Sequence, residues 1–497
     1  GSRFTGQLLR LRYALNDKVT LSAGAILSNR GGARAACPVD VQNVPCGFGP
    51  GDSDYDRFRL GNVGVQAQLG NVALTVNAGA YGGRYTSDQL SDVVLGVPMP
   101  SGDTYDYDSR SASASLNVTV RRHTLALGFD TSASRDMYTP LDLTYSRPTF
   151  DPESSSDLNL TDTYKISTKL AVRAGLSTAA ATGARASLLE TVGGNWKPST
   201  SETFDVSAQF GSAQPIGTRE DTFAEPSRAT YTCDGLTRLG GPGDTNTSKQ
   251  SSTSYNATWT HNWSGGQLTT TVYRTLQIGQ TFYGAVPIGS EPAGYIPPGF
   301  LDAIEAAWNR PTSCAGVPFN PNSIYIVEGL AGTSRRYEGF SVSGRVLLGR
   351  NVTLFPSYST TAATLLSADA RLLGPYSFIV PGWQLPGRPL HTAVLTLDTL
   401  QPHAGLEWIV NAQYAGANNN RRLGAYTQLN AGVARTLARG TLTAFVSNAL
   451  NTDAGIFFST RYAYRLPLAG GGAIAQSANP LTPRVFTVQY SVRTNRK

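Results

Sequence analysis

The stretch Ser251 to Gln280 constrains this chain more than any other. It reads SSTSYNATWTHNW, then SGGQ, then LTTTVYRTLQIGQ. Tyr255, Ala257, Trp259, His261 and Trp263 share one parity, and Ser254, Asn256, Thr258, Thr260 and Asn262 share the other. A period of two is a strand with two unlike faces. Gly265-Gly266 supplies a tight turn, and Leu268, Thr270 and Val272 resume the alternation. A soluble sandwich would carry charges on its polar face. Here that face is small and hydroxylic, and the apolar face ends in aromatic rings. The pattern predicts one face turned to lipid and a wet lumen behind it.

The alternation recurs along the chain. Val19 to Leu27, Val63 to Leu69, Val72 to Ala78, Ala112 to Val120 and Phe204 to Phe210 show it, as do Trp408 to Tyr414, Leu429 to Val433 and Phe486 to Val492. The connections alternate too. Tight ones fall at Asn16-Asp17, Gly70-Asn71, Arg121-Arg122, Pro198 to Ser201, Gly265-Gly266, Gly349-Arg350, Gln401 to Gly405 and Ala438 to Gly440. Long ones fall near 30–54, 86–104, 136–158, 213–250, 281–334, 366–388 and 455–482. The expected fold is all-β, a transmembrane antiparallel up-and-down barrel of about 19 to 22 strands. Short turns would be periplasmic and long loops external, with one barrel unit over 1–497. In 160–200, Tyr164, Ile166, Thr168 and Leu170 read as one strand, followed by two weaker ones.

Composition agrees. Only 15% of the 497 residues are charged, and 52 are Gly. No run reaches the roughly 18 apolar residues of a membrane helix. A net charge of +7 without a dense Lys/Arg cluster excludes nucleic acid as an expected partner. Cys37, Cys46, Cys233 and Cys314 all lie in segments read as long loops, which suggests disulfides Cys37–Cys46 and Cys233–Cys314 in an oxidising compartment. Zinc is the competing reading, but the spacing suits no compact site and there are four His.

His123, His261, His391 and His403 are each better read as structural or interfacial than catalytic, and no nucleophile elbow, zinc-protease motif or P-loop is present. No enzyme activity, metal or cofactor is expected. Trp259, Trp263, Trp408, Tyr414 and Tyr490 have the parity of membrane-interface aromatics. Asp205, Gln209, Asn256, Arg345, Glu407 and Gln413 have lumen parity and are the candidates for contact with solute; plain solvation of the lumen is the other reading. Arg335, Arg336, Arg421 and Arg422, read as loop residues, could draw an anionic chelate or bridge lipopolysaccharide phosphates. Within the longest loop, Phe300, Leu301, Ile304 and Trp308 in GFLDAIEAAWNR predict a short amphipathic helix, packed on its own loop or gripping ligand.

Several stretches resemble the barrel of TonB-dependent outer-membrane receptors. SSTSYNATWTHNWSGGQLTTTVYRTLQIGQ is similar to the hairpin after a long loop in that family. SRRYEGFSVSGRVLLGRNVTLFPSYSTTAA resembles its Arg-Gly-x-Glu strand pair, with Glu338 before Gly339 and Phe340 in place of Val. LPGRPLHTAVLTLDTL resembles a return from loop to barrel, and GTLTAFVSNALNTDAG the strand near the C-terminus, with Asn448, Leu450 and Asn451 matching in kind. The specific likeness covers about 250–494. It implies uptake of a scarce, bulky solute resembling a siderophore, vitamin or oligosaccharide. It also implies four partners: the receptor's own plug, the TonB complex, the small solute, and outer-membrane lipid or lipopolysaccharide. The family's plug and energising box are not found here, and the last strand ends polar. Counted back from a family barrel of about 22 strands, the first strand would be the fourth. A passive porin-like channel and a structural or adhesive outer-membrane barrel are the alternatives.

Overall fold

The structure, a computed structural model, describes residues 2–33, 53–89, 93–94, 97–98, 101–140, 149–181, 186–212, 237–243, 250–291, 294–309, 314, 316–374, 377–401, 404–453, 464–475 and 480–492. Nineteen strands form one antiparallel meander. They are β1 (Ser2–Asn16), β2 (Val19–Ala33), β3 (Ser53–Leu69), β4 (Val72–Gln89), β5 (Ser101–Val120), β6 (His123–Pro140), β7 (Thr149–Lys165), β8 (Leu170–Ala181), β9 (Ser187–Trp196) and β10 (Glu202–Gly211). There follow β11 (Ser251–Trp263), β12 (Gly266–Pro287), β13 (Ile324–Leu347), β14 (Val352–Ser367), β15 (His391–Gln401), β16 (Leu406–Ala415), β17 (Tyr426–Leu437), β18 (Gly440–Ser447) and β19 (Val485–Val492). Each pairs with the next. A further strand, Thr237–Gly243, joins β13 in parallel. The large antiparallel up-and-down sheet expected from the alternation is therefore the fold.

Short and long connections alternate along the wall, except around β9, where 182–186 and 197–201 are both five residues long. The short ones use turn chemistry. Gly70 takes φ +64° and Arg121 φ +53° in two of them. The Ser167 hydroxyl accepts from the N–H of Lys169 and Leu170 in another. That turn corrects the reading of 160–200. Strand β7 ends at Lys165 and β8 starts at Leu170, so Tyr164 and Leu170 lie on two strands. Alternation runs through a two-sided turn without breaking, which is why the sequence joined them.

The strands are also taller than expected. β5 has 20 residues, β12 has 22 and β13 has 24. At about 3.3 Å per residue, 20 residues reach about 66 Å, while a membrane crossing takes only about 9–11 residues. Segments 30–33, 86–89, 101–104, 136–140 and 149–158 are strand rather than loop.

The reason is an inversion of phase. Low on β3, Val63, Val65 and Leu69 share the outward parity, with Asn62, Gln66 and Gln68 inward. Higher up, the outward parity carries Arg57 and Arg59 and the inward one Phe58 and Leu60. Strand β5 does the same. Leu116 and Val118 are outward below, Asp106, Asp108 and Arg110 are outward above, and Tyr105 and Tyr107 are inward. No register shift interrupts β3, β4, β5 or β6, so one parity is one face for the whole height of the wall. A test for apolar-out alternation loses its signal at the crossover.

Full burial of apolar side chains is concentrated elsewhere, at the long-loop end of β12 to β14. The predicted helix, α1 (Phe300–Trp308), buries Phe300, Ile304, Ala307 and Trp308. They join Val286, Ile324, Ile326, Ala363, Leu365 and Leu372 in one core. Leu301, assigned to the apolar face, is instead 37% exposed. The helix packs on its own loop. Tyr337, Ala363 and Leu365 have lumen parity, and the last two are 0% and 1% exposed, so the loop folds inward against the inner face of the wall.

Candidate functional site

The inner face is held by small polar pairs across the ladder. Thr258 and Thr271 meet at 3.0 Å, Ser359 and Thr392 at 2.6 Å, and Asn411 donates to Thr396 at 2.7 Å. Such pairs satisfy the polar groups locally and leave the surface wettable.

Above them, the phase inversion builds a ledge of rings. Phe58, Tyr81, Tyr107 and Tyr105 come from β3, β4 and β5 and all have lumen parity. Their centroids run 6.4 Å, 6.5 Å and 5.7 Å apart in that order. These are the spacings of tilted aromatic contacts. Tyr105 donates to Asp136 at 2.8 Å, and Tyr107 donates to Asp56 at 3.4 Å. The two phenols are thus tied to carboxylates. Gly83 makes the ledge possible, because a Cβ there would strike the Arg57 carbonyl and the Tyr107 ring. Below the ledge lies a polar hollow of about 290 Å³ lined by Asn62, Asn77, Ser113, Asp130 and Asp157. Rings above and carboxylates below can hold a ligand with aromatic or cationic character.

The six lumen candidates do not converge. All have lumen parity, but Asp205, Gln209 and Asn256 neighbour one another on β10 and β11, whereas Arg345 is on β13 and Glu407 and Gln413 are on β16. Asp205 is engaged by Arg173 at 2.8 Å and by Asn195 at 3.4 Å, so its charge is already matched. Gln413 donates to Asn411 at 2.7 Å within a chain of amides. Sequence reasoning missed the ledge. Its signal is the Tyr-Asp-Tyr-Asp run from Tyr105 to Asp108, two rings on one parity and two acids on the other.

The remaining candidates fall as follows. Trp259, Trp263, Trp408, Tyr414 and Tyr490 all have outward parity, Tyr414 toward the long loops and the other four toward the short turns. Trp196 stacks on Phe204 in the same lower row at 5.3 Å. Arg335 and Arg336 lie in β13, not in a loop. Arg335 has lumen parity and covers the Phe282 ring at 5.5 Å, and Arg336 faces outward beside Glu338 at 3.4 Å. Arg421 donates to the Pro480 carbonyl at 3.3 Å, and Arg422 takes φ +58° in the same loop. His123 pairs with Asp162, His261 with Glu202 and His391 with Tyr358, all on the outward parity, and His403 lies outside the described residues. Cys314 is buried and disulfide-bonded, while Cys37, Cys46 and Cys233 lie outside the described residues. Among the described residues no His, Cys, Asp and Glu cluster could hold a metal ion.

The inward-folded loop carries its own ion cluster. Arg371 reaches Glu291 at 3.6 Å and Asp369 at 3.2 Å. Burial opposes the charge of Asp369, but hydrogen bonds from the Arg371 side chain and backbone outweigh it. The carboxyl is held below its ordinary value.

The sequence matches no protein-family model. It also matches no curated protein. Solved structures do match. The FrpB iron transporter from Neisseria meningitidis aligns with a TM-score of 0.64 at 10% identity, over 98% of this chain and 71% of that one. The ferric enterobactin receptor of Pseudomonas aeruginosa gives 0.64 at 13%, over 98% and 69%. The copper transporter OprC gives 0.63 at 10%, over 98% and 73%. At such identities the likeness establishes the fold alone, an antiparallel β-barrel wall of the outer-membrane type.

Proposed function

We propose that this chain is the barrel of an outer-membrane, TonB-dependent transporter for a metal chelate whose ligand carries aromatic rings. One observation carries the reading. Phe58, Tyr81, Tyr107 and Tyr105 form a ring ledge on the lumen face near the long-loop end of a wall with a receptor-barrel fold. Rings stack on planar aromatic ligands at low entropic cost, since each side chain has only two free torsions. The solved relatives are named as siderophore, iron and copper proteins, which supports a chelated metal as the cargo class. In this reading the short turns are periplasmic and the long loops external. The parity of Trp259, Trp263, Trp408, Tyr414 and Tyr490 supports a role at the membrane interfaces. The barrel supplies the wall and the path, and a plug with the TonB complex supplies energy.

The test is a titration of the outer-membrane-inserted chain with ferric enterobactin, read by quenching of intrinsic fluorescence. Saturable binding is expected, weakened about tenfold in Tyr107→Ala by loss of one aromatic contact. Identical affinity in Tyr105→Ala, Tyr107→Ala and the parent would remove the ledge from the binding site. Uptake of the chelate that persists without TonB would favour a passive channel.

A further inference from the structure

The outward face of the same wall holds a second feature, which the lumen reading does not use. Where the apolar belt of β3 to β6 ends, arginines begin. The register sets Arg59, Gly82, Asp108 and Arg135 in one outward row, and Arg57, Arg84, Asp106 and Met137 in the next. Arg110 stands one row lower, between Ala80 and Ala133. The rows border a groove of about 610 Å³. Its floor is Gly82, where the absent side chain supplies depth, and Leu27 and Met137 give it apolar edges.

The charges do not cancel. Leaving Arg135 aside, Arg57, Arg59, Arg84 and Arg110 face Asp106 and Asp108. Arg84 engages Asp106 through two hydrogen bonds of 2.6 Å and 2.9 Å, so Asp106 is already matched. Among the described residues, no ion pair joins Arg57, Arg59 or Arg110 to a carboxylate. Arg57 and Arg59 are exposed and stand in adjacent rows, two residues or about 7 Å apart along the strand, within the reach of one phosphate.

Height decides the partner. From Leu69 at the short turn to Arg59 is ten residues, about 33 Å along the strand and about 25 Å after tilt. That is the height of the apolar band of an outer-membrane barrel. The cluster therefore stands where acyl chains give way to headgroups. If the barrel spans the membrane as proposed, we infer that this groove is a seat for a phosphorylated glycolipid of the outer leaflet. Arg57 and Arg59 take the phosphate. The glycolipid's acyl chains run down the belt of Val63, Val65 and Leu127. Arg guanidinium is suited to the task, since its fork matches two phosphate oxygens and sheds water easily.

The full chain in detergent is titrated with bisphosphorylated lipid A, with the dephosphorylated lipid and with inorganic phosphate, and bound lipid is read by native mass spectrometry. The bisphosphorylated lipid is expected to bind, and the dephosphorylated one about tenfold or more weaker. The double variant Arg57→Gln/Arg59→Gln is expected to lose a similar factor while keeping its heat-modifiable gel mobility. Equal binding of both lipids, or of parent and variant, overturns the proposal. Full displacement by millimolar inorganic phosphate also overturns it, in favour of a free-anion site. Ferric enterobactin quenching in the double variant separates the readings. It should be unchanged, because Arg57 and Arg59 face away from the lumen, and a failure confined to the lumen assay leaves the lipid result standing.

Discussion

The wall of β3 to β6 and the loop around α1 are built on opposite principles. The wall has almost no buried apolar side chain; Leu125, Leu127 and Phe129 are each about two-fifths exposed. Its order comes from continuous backbone ladders, seventeen paired rungs between β3 and β4 alone. The loop has few ladders and a sealed core, with Phe300 and Ile304 at zero exposure in one cluster with Ile324 at the upper end of β13. A barrel wall satisfies its backbone in the plane of the sheet and leaves its faces to the solvent on either side, lipid or water. A long loop at the mouth has no such ladder, so it must bury apolar surface as a small soluble domain does. The two regions should therefore fail independently.

Breaking the core gives the largest effect. Ile304→Asp places a charge among Phe300, Ile324 and Leu365, and should cost about 4 kcal/mol or more of loop stability. Limited proteolysis should cut within 288–323 much faster than in the parent. Heat-modifiable gel mobility, which reports the barrel, should not change. If the variant loses that mobility too, loop and wall are one cooperative unit and the contrast drawn above is wrong.

The contrast also explains what could be read in advance. Alternation was legible wherever lipid lies on one side and water on the other, because the two solvents sort residues by parity. Val63, Val65 and Leu69 on β3 are of this kind. Above the belt both faces meet water, and there parity sorts charge from ring instead. Arg57 and Arg59 alternate with Phe58 and Leu60 in the opposite phase, so the tall upper wall read as loop. The ledge was lost with it, since Tyr81, Tyr105 and Tyr107 lie in that upper zone. The helix at 300–308 was legible because its spacing is local. Which face of the wall it covers depends on Ala363 and Leu365, far along the chain, and no local spacing reports that. The six lumen candidates were correct in parity but were chosen without knowing their height on the wall, which only the register supplies.

Acid should sharpen the same contrast by a smaller amount. The Asp369 carboxyl is held below its ordinary value in the folded loop by hydrogen bonds from Arg371. A depressed carboxylate adds stability above the unfolded value, and that stability is lost as pH falls through the folded one. Protease cutting of 368–390 should therefore rise as pH drops below the ordinary aspartate range, before the barrel loses its heat-modifiable mobility. Asp369→Asn should flatten the profile. A parent loop with cutting independent of pH would show that the Arg371 cluster does not hold it closed.

The smallest effect on stability belongs to the wall's most exposed ion pair. Arg84 and Asp106 meet at 2.6 Å, with the Arg84 side chain 61% exposed. Pairs in that setting add little, because water screens them and two long side chains lose freedom. Arg84→Ala should leave the unfolding temperature of the barrel where it is. Its informative consequence lies in the outer groove. Removing the guanidinium frees the Asp106 carboxylate, two strands from Arg57 in the same outward row, and a bare carboxylate repels phosphate. Lipid A binding should fall a few-fold, less than in Arg57→Gln/Arg59→Gln, and the loss should shrink as salt is raised. Arg84→Ala/Asp106→Asn removes the freed charge and should recover most of the loss. An unchanged unfolding temperature with a salt-sensitive loss of lipid marks a wall whose charged side chains serve the membrane surface while its ladders hold the fold. A large drop in unfolding temperature would instead put Arg84 among the groups that hold the strands together.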